Sequence, residues 1–150
     1  LLNIAGVFPF GPLLEESENV FYECMDVNLR LPYLLSLGLF DNLKNNGRGK
    51  IINIGSSSAY SGFKNTVTYC ASKHALLGFS RALHEEWKEY GISVHCISPG
   101  TINKGMSNKL SQDKSTYIEA EELAKLIYDI SQYSGNMIIE EVRANRWNIR

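Results

Sequence analysis

Short apolar runs along this chain alternate with longer stretches in which apolar residues recur at the helical period. Leu1-Leu2-Asn3-Ile4-Ala5-Gly6 reads as the end of a buried strand running into a glycine turn. Phe8-Pro9-Phe10-Gly11-Pro12 is a rigid loop, because proline has no N–H for a ladder and glycine breaks both element types. Val20, Phe21, Cys24, Val27, Leu31, Leu34, Leu35 and Leu39 predict a long helix over Glu15–Asn45. Its acidic first turn (Glu15, Glu16, Glu18) suits the positive end of the helix dipole, and Pro32 predicts a kink or break near Leu31. After a stop at Asn45–Gly49, the β-branched run Lys50–Gly55 predicts a buried strand.

Ser56–Lys64 is a small-residue loop, and Tyr69–Tyr90 a second long helix with Leu76, Phe79, Leu83 and Trp87 as its apolar stripe. Gly91 is a natural left-handed stop, and Ile92–Ser98 a strand ended by Pro99-Gly100. Thr101–Thr116 is polar and expected to be mobile. A third helix is predicted over Glu119–Tyr133, with Leu123, Leu126, Ile127 and Ile130 inward, and a last strand over Met137–Val142. Four strands alternate with three helices, which predicts right-handed βαβ crossovers and an α/β fold with a parallel sheet, helices on both faces, and one domain over residues 1–150.

Composition narrows the function classes. The chain has 150 residues, 44% hydrophobic and 21% charged, with a formal net charge of -1. That balance is globular, not disordered, and gives no general attraction to nucleic acid or to an anionic membrane. No run approaches the roughly 18 unbroken apolar residues of a membrane span, and Leu1–Pro12 lacks the basic leader of a signal peptide. Cys24, Cys70 and Cys96 are an odd number without a CxxC pair, which points to a reducing, cytoplasmic compartment. His74, His84 and His95 have no metal-ligand spacing, so no metal site is expected. The chain starts in the middle of an apolar run and without Met, as a fragment, a processed chain or an excerpt would.

In open α/β sheets ligands bind beyond the carboxyl ends of the strands, here Gly6-Val7-Phe8, Ser56-Ser57-Ser58 and Pro99-Gly100-Thr101-Ile102. Tyr69 and Lys73 stand at i and i+4 near a helix start, on one face. A phenol needs its pKa lowered by roughly three units, or ~4 kcal/mol, to exchange protons near neutral pH. A cation at ~4 Å with an effective dielectric of ~20 supplies about that much. Taken alone, such a pair is more often an ordinary surface Tyr and Lys. Ser56 is placed to hydrogen-bond a substrate oxygen or to close a turn, with Ser57 and Ser58 as competitors. Asn28 is a poor helix former in mid-helix, either simply exposed or kept beside the Pro32 kink to hold water.

Together these pieces resemble the short-chain dehydrogenase/reductase family. Asn3-Ile4-Ala5-Gly6 (family pattern Asn-Asn-Ala-Gly), Val27-Asn28, Ile54-Gly55-Ser56, Tyr69-Cys70-Ala71-Ser72-Lys73 and Ser98-Pro99-Gly100 occur in the family's order and spacing over nearly the whole chain. The resemblance implies a Rossmann-type doubly wound parallel sheet, incomplete here. It implies hydride transfer between a small-molecule carbonyl or alcohol and NADP or NAD, NADP slightly preferred. Tyr69 would be the general acid or base. Lys73 would lower the Tyr69 pKa and bind the nicotinamide ribose, Ser56 would polarise the carbonyl, and Asn28 would hold a relay water. Asn3 would tie strands together, Ala5 and Gly6 would line the cofactor, and Pro99, Gly100 and Ile102 would meet the carboxamide. Family members commonly form homodimers or homotetramers through the two long helices.

The chain also departs from the pattern. Ile4 replaces the second Asn, and Lys104 stands where a Thr usually contacts the cofactor. The family's opening strand and Gly-rich phosphate turn have no counterpart, on the order of 90 residues at ~30 per βα unit. The expectation is that the intact protein has that half, or that a partner covers the gap. The other readings are a nucleotide-sensing or scaffold protein of the family, and an inactive fragment. Thr101–Tyr117 is expected to form a lid, with Met106, Leu110 and Tyr117 as its apolar contacts.

Overall fold

In the computed structural model, which describes residues 1–103 and 114–146, the two β-branched runs form the middle of the sheet. They are β2 (Gly49–Ile54) and β3 (Ile92–Pro99), paired parallel with Ile52 opposite His95. The short β1 (Leu2–Asn3) lies outside β2, and β4 (Glu141–Ala144) lies outside β3, with Cys96 opposite Glu141. All pairings are parallel and the order is β1-β2-β3-β4. Side chains on a strand alternate between faces. Ile51, Ile92 and Val94 therefore pack with Leu43 and Trp87 on one face, while Ile52 and Ile97 pack with Leu123 and Ile130 on the other. This is the α/β parallel-sheet architecture expected from the sequence.

The stretch predicted as one helix is three. α1 (Glu18–Met25) runs through a wide π turn at Asp26–Arg30 into α2 (Leu31–Gly38), and α3 (Phe40–Asn45) follows a break at Leu39. Pro32 has no N–H to give the Asn28 carbonyl, and the Leu31 N–H reaches five residues back to Asp26. The inward face also differs from the one the leucines suggested. Cys24, Asn28, Pro32 and Ser36, four residues apart, are buried, whereas Leu31, Leu34 and Leu35 are exposed. Small and polar side chains let this helix lie close to its neighbour, and hydrogen bonds replace apolar packing there.

That neighbour is α4 (Val67–Trp87), starting two residues before Tyr69 and ending through a 3-10 turn at Gly91 with φ 72°. α5 (Ala120–Gln132) covers the opposite face, its first turn closed by the Glu122 side chain accepting from the Glu119 N–H at 3.2 Å. The last strand lies later than the apolar run Met137–Val142 predicts. Met137 and Ile138 are exposed, and Glu141-Val142-Arg143-Ala144 makes the ladder instead. All three cysteines are free and buried. Among the described residues, no helix is long and apolar enough to cross a membrane.

Candidate active site

The carboxyl ends of β1, β2 and β3 open on one side of the sheet, and the residues singled out from the sequence gather there. β2 ends at Ile54, and Gly55 follows because nothing larger fits: a Cβ on it would meet Ser98 Oγ at 2.4 Å and Cys96 Sγ at 3.1 Å. Gly55 N–H donates to the Ile97 carbonyl at 2.8 Å, which holds the exit of β2 against β3. Ser56 comes next, extended, and its hydroxyl accepts from Ser58 N–H at 3.1 Å. The Ser56 hydroxyl lies near enough to the Tyr69 phenol to pull its pKa down. Of the three serines, Ser56 is the one that bears on the Tyr69 phenol, while Ser58 is buried.

Tyr69 and Lys73 lie on the inner face of α4, and the structure excludes the surface-pair reading. Lys73 is 5% exposed, and its Nζ donates to the Ile54 carbonyl at 2.8 Å. The ammonium is 5.8 Å from the Tyr69 ring centroid. Burial lowers the Lys73 pKa to about 8. Burial likewise pushes the Tyr69 phenol above its usual value, and the nearby Ser56 hydroxyl pulls the other way. The expected lowering of Tyr69 by Lys73 is thus not what dominates in this chain. Phe8 contributes to the enclosure, its ring meeting the Tyr69 ring edge-on at 4.7 Å. Sequence reasoning pointed to the Gly6–Phe8 turn but not to this contact, and no local pattern signals it.

Asn28 is not exposed. It is 1% accessible and its amide pairs with both backbone groups of Val7, accepting from N–H at 2.9 Å and donating to C=O at 3.0 Å. It also donates to Ser72 Oγ at 3.0 Å, which joins the β1 exit to α4. Asn3 is buried and donates to Asn53 Oδ1 at 2.7 Å, so it does tie β1 to β2. Asn53 Nδ2 continues the chain of bonds to Ser80 Oγ on α4 at 2.9 Å, a link the sequence reading missed. Ala5 is exposed and Gly6 half-buried beyond β1. Pro99 is buried, Gly100 N–H donates to the Ala144 carbonyl at 2.7 Å, and Ile102 pairs with Ile118.

Tyr117, expected in the lid, is buried, and Lys104, Met106 and Leu110 lie outside the described residues. The histidines serve the fold: His84 Nδ1 accepts from Val94 N–H at 3.2 Å, and the His95 ring bonds Ser93 and the Ile139 carbonyl. What the site assembles is a phenol, a hydroxyl near it and a buried ammonium, beside small residues at two strand exits. The donors and the open backbone at Ala5–Gly6 fit the nicotinamide end of a dinucleotide.

The family model for short chain dehydrogenases matches residues 1–115. An uncharacterized oxidoreductase of Thermotoga maritima is 40% identical over 101 residues, covering 67% of this chain and 40% of that protein. A 3-oxoacyl-[acyl-carrier-protein] reductase of Buchnera aphidicola is 35% identical over 127 residues, 84% of this chain and 52% of that protein. Among solved structures, a 4-hydroxyisoleucine dehydrogenase mutant complexed with NADH and succinate aligns with a TM-score of 0.86 and 26% identity, covering 97% of this chain and 65% of that one. A metagenomic short-chain oxidoreductase in complex with NADP aligns with a TM-score of 0.81 and 27% identity, covering 97% and 60%. The chain thus spans between two fifths and two thirds of the length of these proteins.

Proposed function

The chain belongs to the short-chain dehydrogenase family, and on that premise we propose that the protein carrying it is an NAD(P)-dependent oxidoreductase interconverting a small-molecule carbonyl and alcohol. The observation that carries this reading is the gathering of the Tyr69 phenol and the Ser56 hydroxyl beside the buried Lys73 ammonium, which is anchored to the Ile54 carbonyl. A substrate carbonyl oxygen accepting from both hydroxyls would be polarised by Ser56 and protonated by Tyr69. A phenol with a raised pKa is fully protonated at neutral pH, which suits the acid's role in reduction. In oxidation Tyr69 takes the proton back, and the charge of Lys73 then stabilises the phenolate.

Lys73 would also hold the nicotinamide ribose, with Ala5 and Gly6 lining the dinucleotide and Pro99, Gly100 and Ile102 beside the carboxamide. The hydride is the dinucleotide's contribution when it is bound. Asn3 and Asn28 act by fixing the β1 exit, and Asn28 is also assigned the relay water beside Lys73. NADP is placed slightly ahead of NAD; complexes with NADP and with NADH both occur among the similar structures. Exposed Leu31, Leu34 and Leu35 on α2 support a homodimer or homotetramer built through the long helices. The free, buried thiols suit the cytoplasm.

The test is fluorescence titration of the intact protein with NADPH and NADH, followed by turnover of a carbonyl panel by wild type and Tyr69→Phe. Saturable binding, and turnover that falls by about two to four orders of magnitude in the variant, support the reading. Binding without turnover would favour the nucleotide-sensing alternative, and unchanged turnover in Tyr69→Phe would reject the assignment of Tyr69.

A further inference from the structure

Tyr60 closes the turn that carries Ser56, and its side chain is held from several directions. The one-turn 3-10 helix Ser57–Ala59 ends at Tyr60, whose N–H donates to the Ser57 carbonyl at 3.1 Å. Ala59 N–H donates to the Ser56 carbonyl at 2.9 Å, so the turn transmits any movement of Tyr60 to Ser56. The Tyr60 hydroxyl donates to Glu141 Oε2 at 2.9 Å, and Tyr60 packs against the buried cluster of Ala59, Leu77 and Cys96. Arg81 of α4 grips the same carboxylate with a fork, Nη2 to Oε2 at 3.0 Å and Nε to Oε1. Arg143, on the same face of β4 as Glu141, stacks its guanidinium 4.1 Å from the Tyr60 ring centroid.

Three elements thus converge on Tyr60: α4 through Leu77, β3 through Cys96, and β4 through Glu141 and Arg143. The Arg81 side chain is 57% exposed, and an ion pair so open to solvent adds little to stability. Its forked geometry does fix direction. The contact also holds Glu141 below the usual carboxylate range, so it stays an acceptor for Tyr60 at neutral pH. Resting on the reading that Ser56 orients the substrate carbonyl, we propose that Tyr60 is a positioning residue whose clamp by Glu141, Arg81 and Arg143 sets the Ser56 hydroxyl against Tyr69.

The experiment compares wild type, Tyr60→Phe, Ser56→Ala and the double variant in the intact protein, by steady-state carbonyl reduction. Tyr60→Phe is expected to lower kcat about tenfold with the dinucleotide KM within about twofold of wild type. Added to Ser56→Ala, it is expected to cost nothing more, because residues acting through one group are not additive. A merely structural role would lower both backgrounds alike. Losses that multiply, or a Tyr60→Phe kcat within about twofold of wild type, overturn the proposal. Should Tyr60→Phe not fold, Glu141→Ala makes the same comparison, since it removes both the acceptor of the Tyr60 hydroxyl and the carboxylate that Arg81 holds. Should wild type reduce no carbonyl, the proposed reaction is at fault, and a crystal structure of whichever variant folds decides about Tyr60. Ser56 Oγ moved away from the Tyr69 hydroxyl supports it, and an unmoved Ser56 refutes it.

Discussion

The Lys73 ammonium is anchored 2.8 Å from the carbonyl of Ile54, the last residue of β2, so the site's cation and the Ser56 turn share one fixed point. A buried lysine with a pKa of about 8 instead of 10.5 binds fewer protons folded than unfolded between those values. Its contribution to stability therefore rises with pH from about 8 to about 10.5, and the whole penalty is present below pH 8. At 1.36 kcal/mol per unit this is on the order of 3 kcal/mol. Chemical denaturation of the dinucleotide-free intact protein, with and without Lys73→Met, should show the two stabilities converging as pH rises through that window. A difference independent of pH would contradict it.

Asn28→Ala should destabilise by about 2–4 kcal/mol, because it strips partners from the Val7 N–H and C=O together. Asn28→Asp should recover only part of this, since a carboxylate accepts from Val7 N–H but donates to neither the Val7 carbonyl nor Ser72. Urea unfolding of the three proteins reads the order directly.

Gly55→Ala should cost about 1–3 kcal/mol, since the new methyl would overlap Ser98 Oγ at 2.4 Å. Removing that oxygen with Ser98→Ala should restore part of the loss, leaving the 3.1 Å approach to Cys96 Sγ. Thermal melts of the single and double variants give the coupling.

Ser56→Ala should lower kcat for carbonyl reduction by roughly 10²–10³, the effect of deleting one donor to a developing oxyanion. It should also raise the Tyr69 pKa further, because the Ser56 hydroxyl is what opposes burial there. The acid limb of the pH–rate profile belongs to other groups, so the change should appear on the alkaline side.

The elements with strong local patterns were legible from residues alone. Lys50–Gly55 against the observed Gly49–Ile54, and Tyr69–Tyr90 against Val67–Trp87, differ only at their ends. The Tyr69–Lys73 pairing was legible because i, i+4 spacing is a property of any helix. What was not legible is the use of polarity as packing. In the buried row Cys24, Asn28, Pro32, Ser36, the polar Asn28 and Ser36 look like a solvent face, and the exposed leucines beside the row look like a core. Met137 and Ile138 misled in the same way, since apolar character alone does not bring a residue under a neighbour. The Asn3–Asn53–Ser80 and Tyr60–Glu141–Arg81 links join residues distant in sequence and leave no periodic trace.

The parallel pairing of β1 with β2 also bears on how the chain is made. Asn3 and Asn53 are 50 positions apart, so β1 leaves the ribosome well before its partner. At about 5–20 residues per second, that wait is roughly 3–10 s. Throughout it Leu2 and Asn3 lack the β2 residues, Ile52 and Asn53, that they face in the folded sheet. A synonymous-codon change that slows translation between Gly11 and Arg48 would lengthen the wait without altering one residue. The yield of soluble protein would then depend on the message as well as on the sequence it encodes.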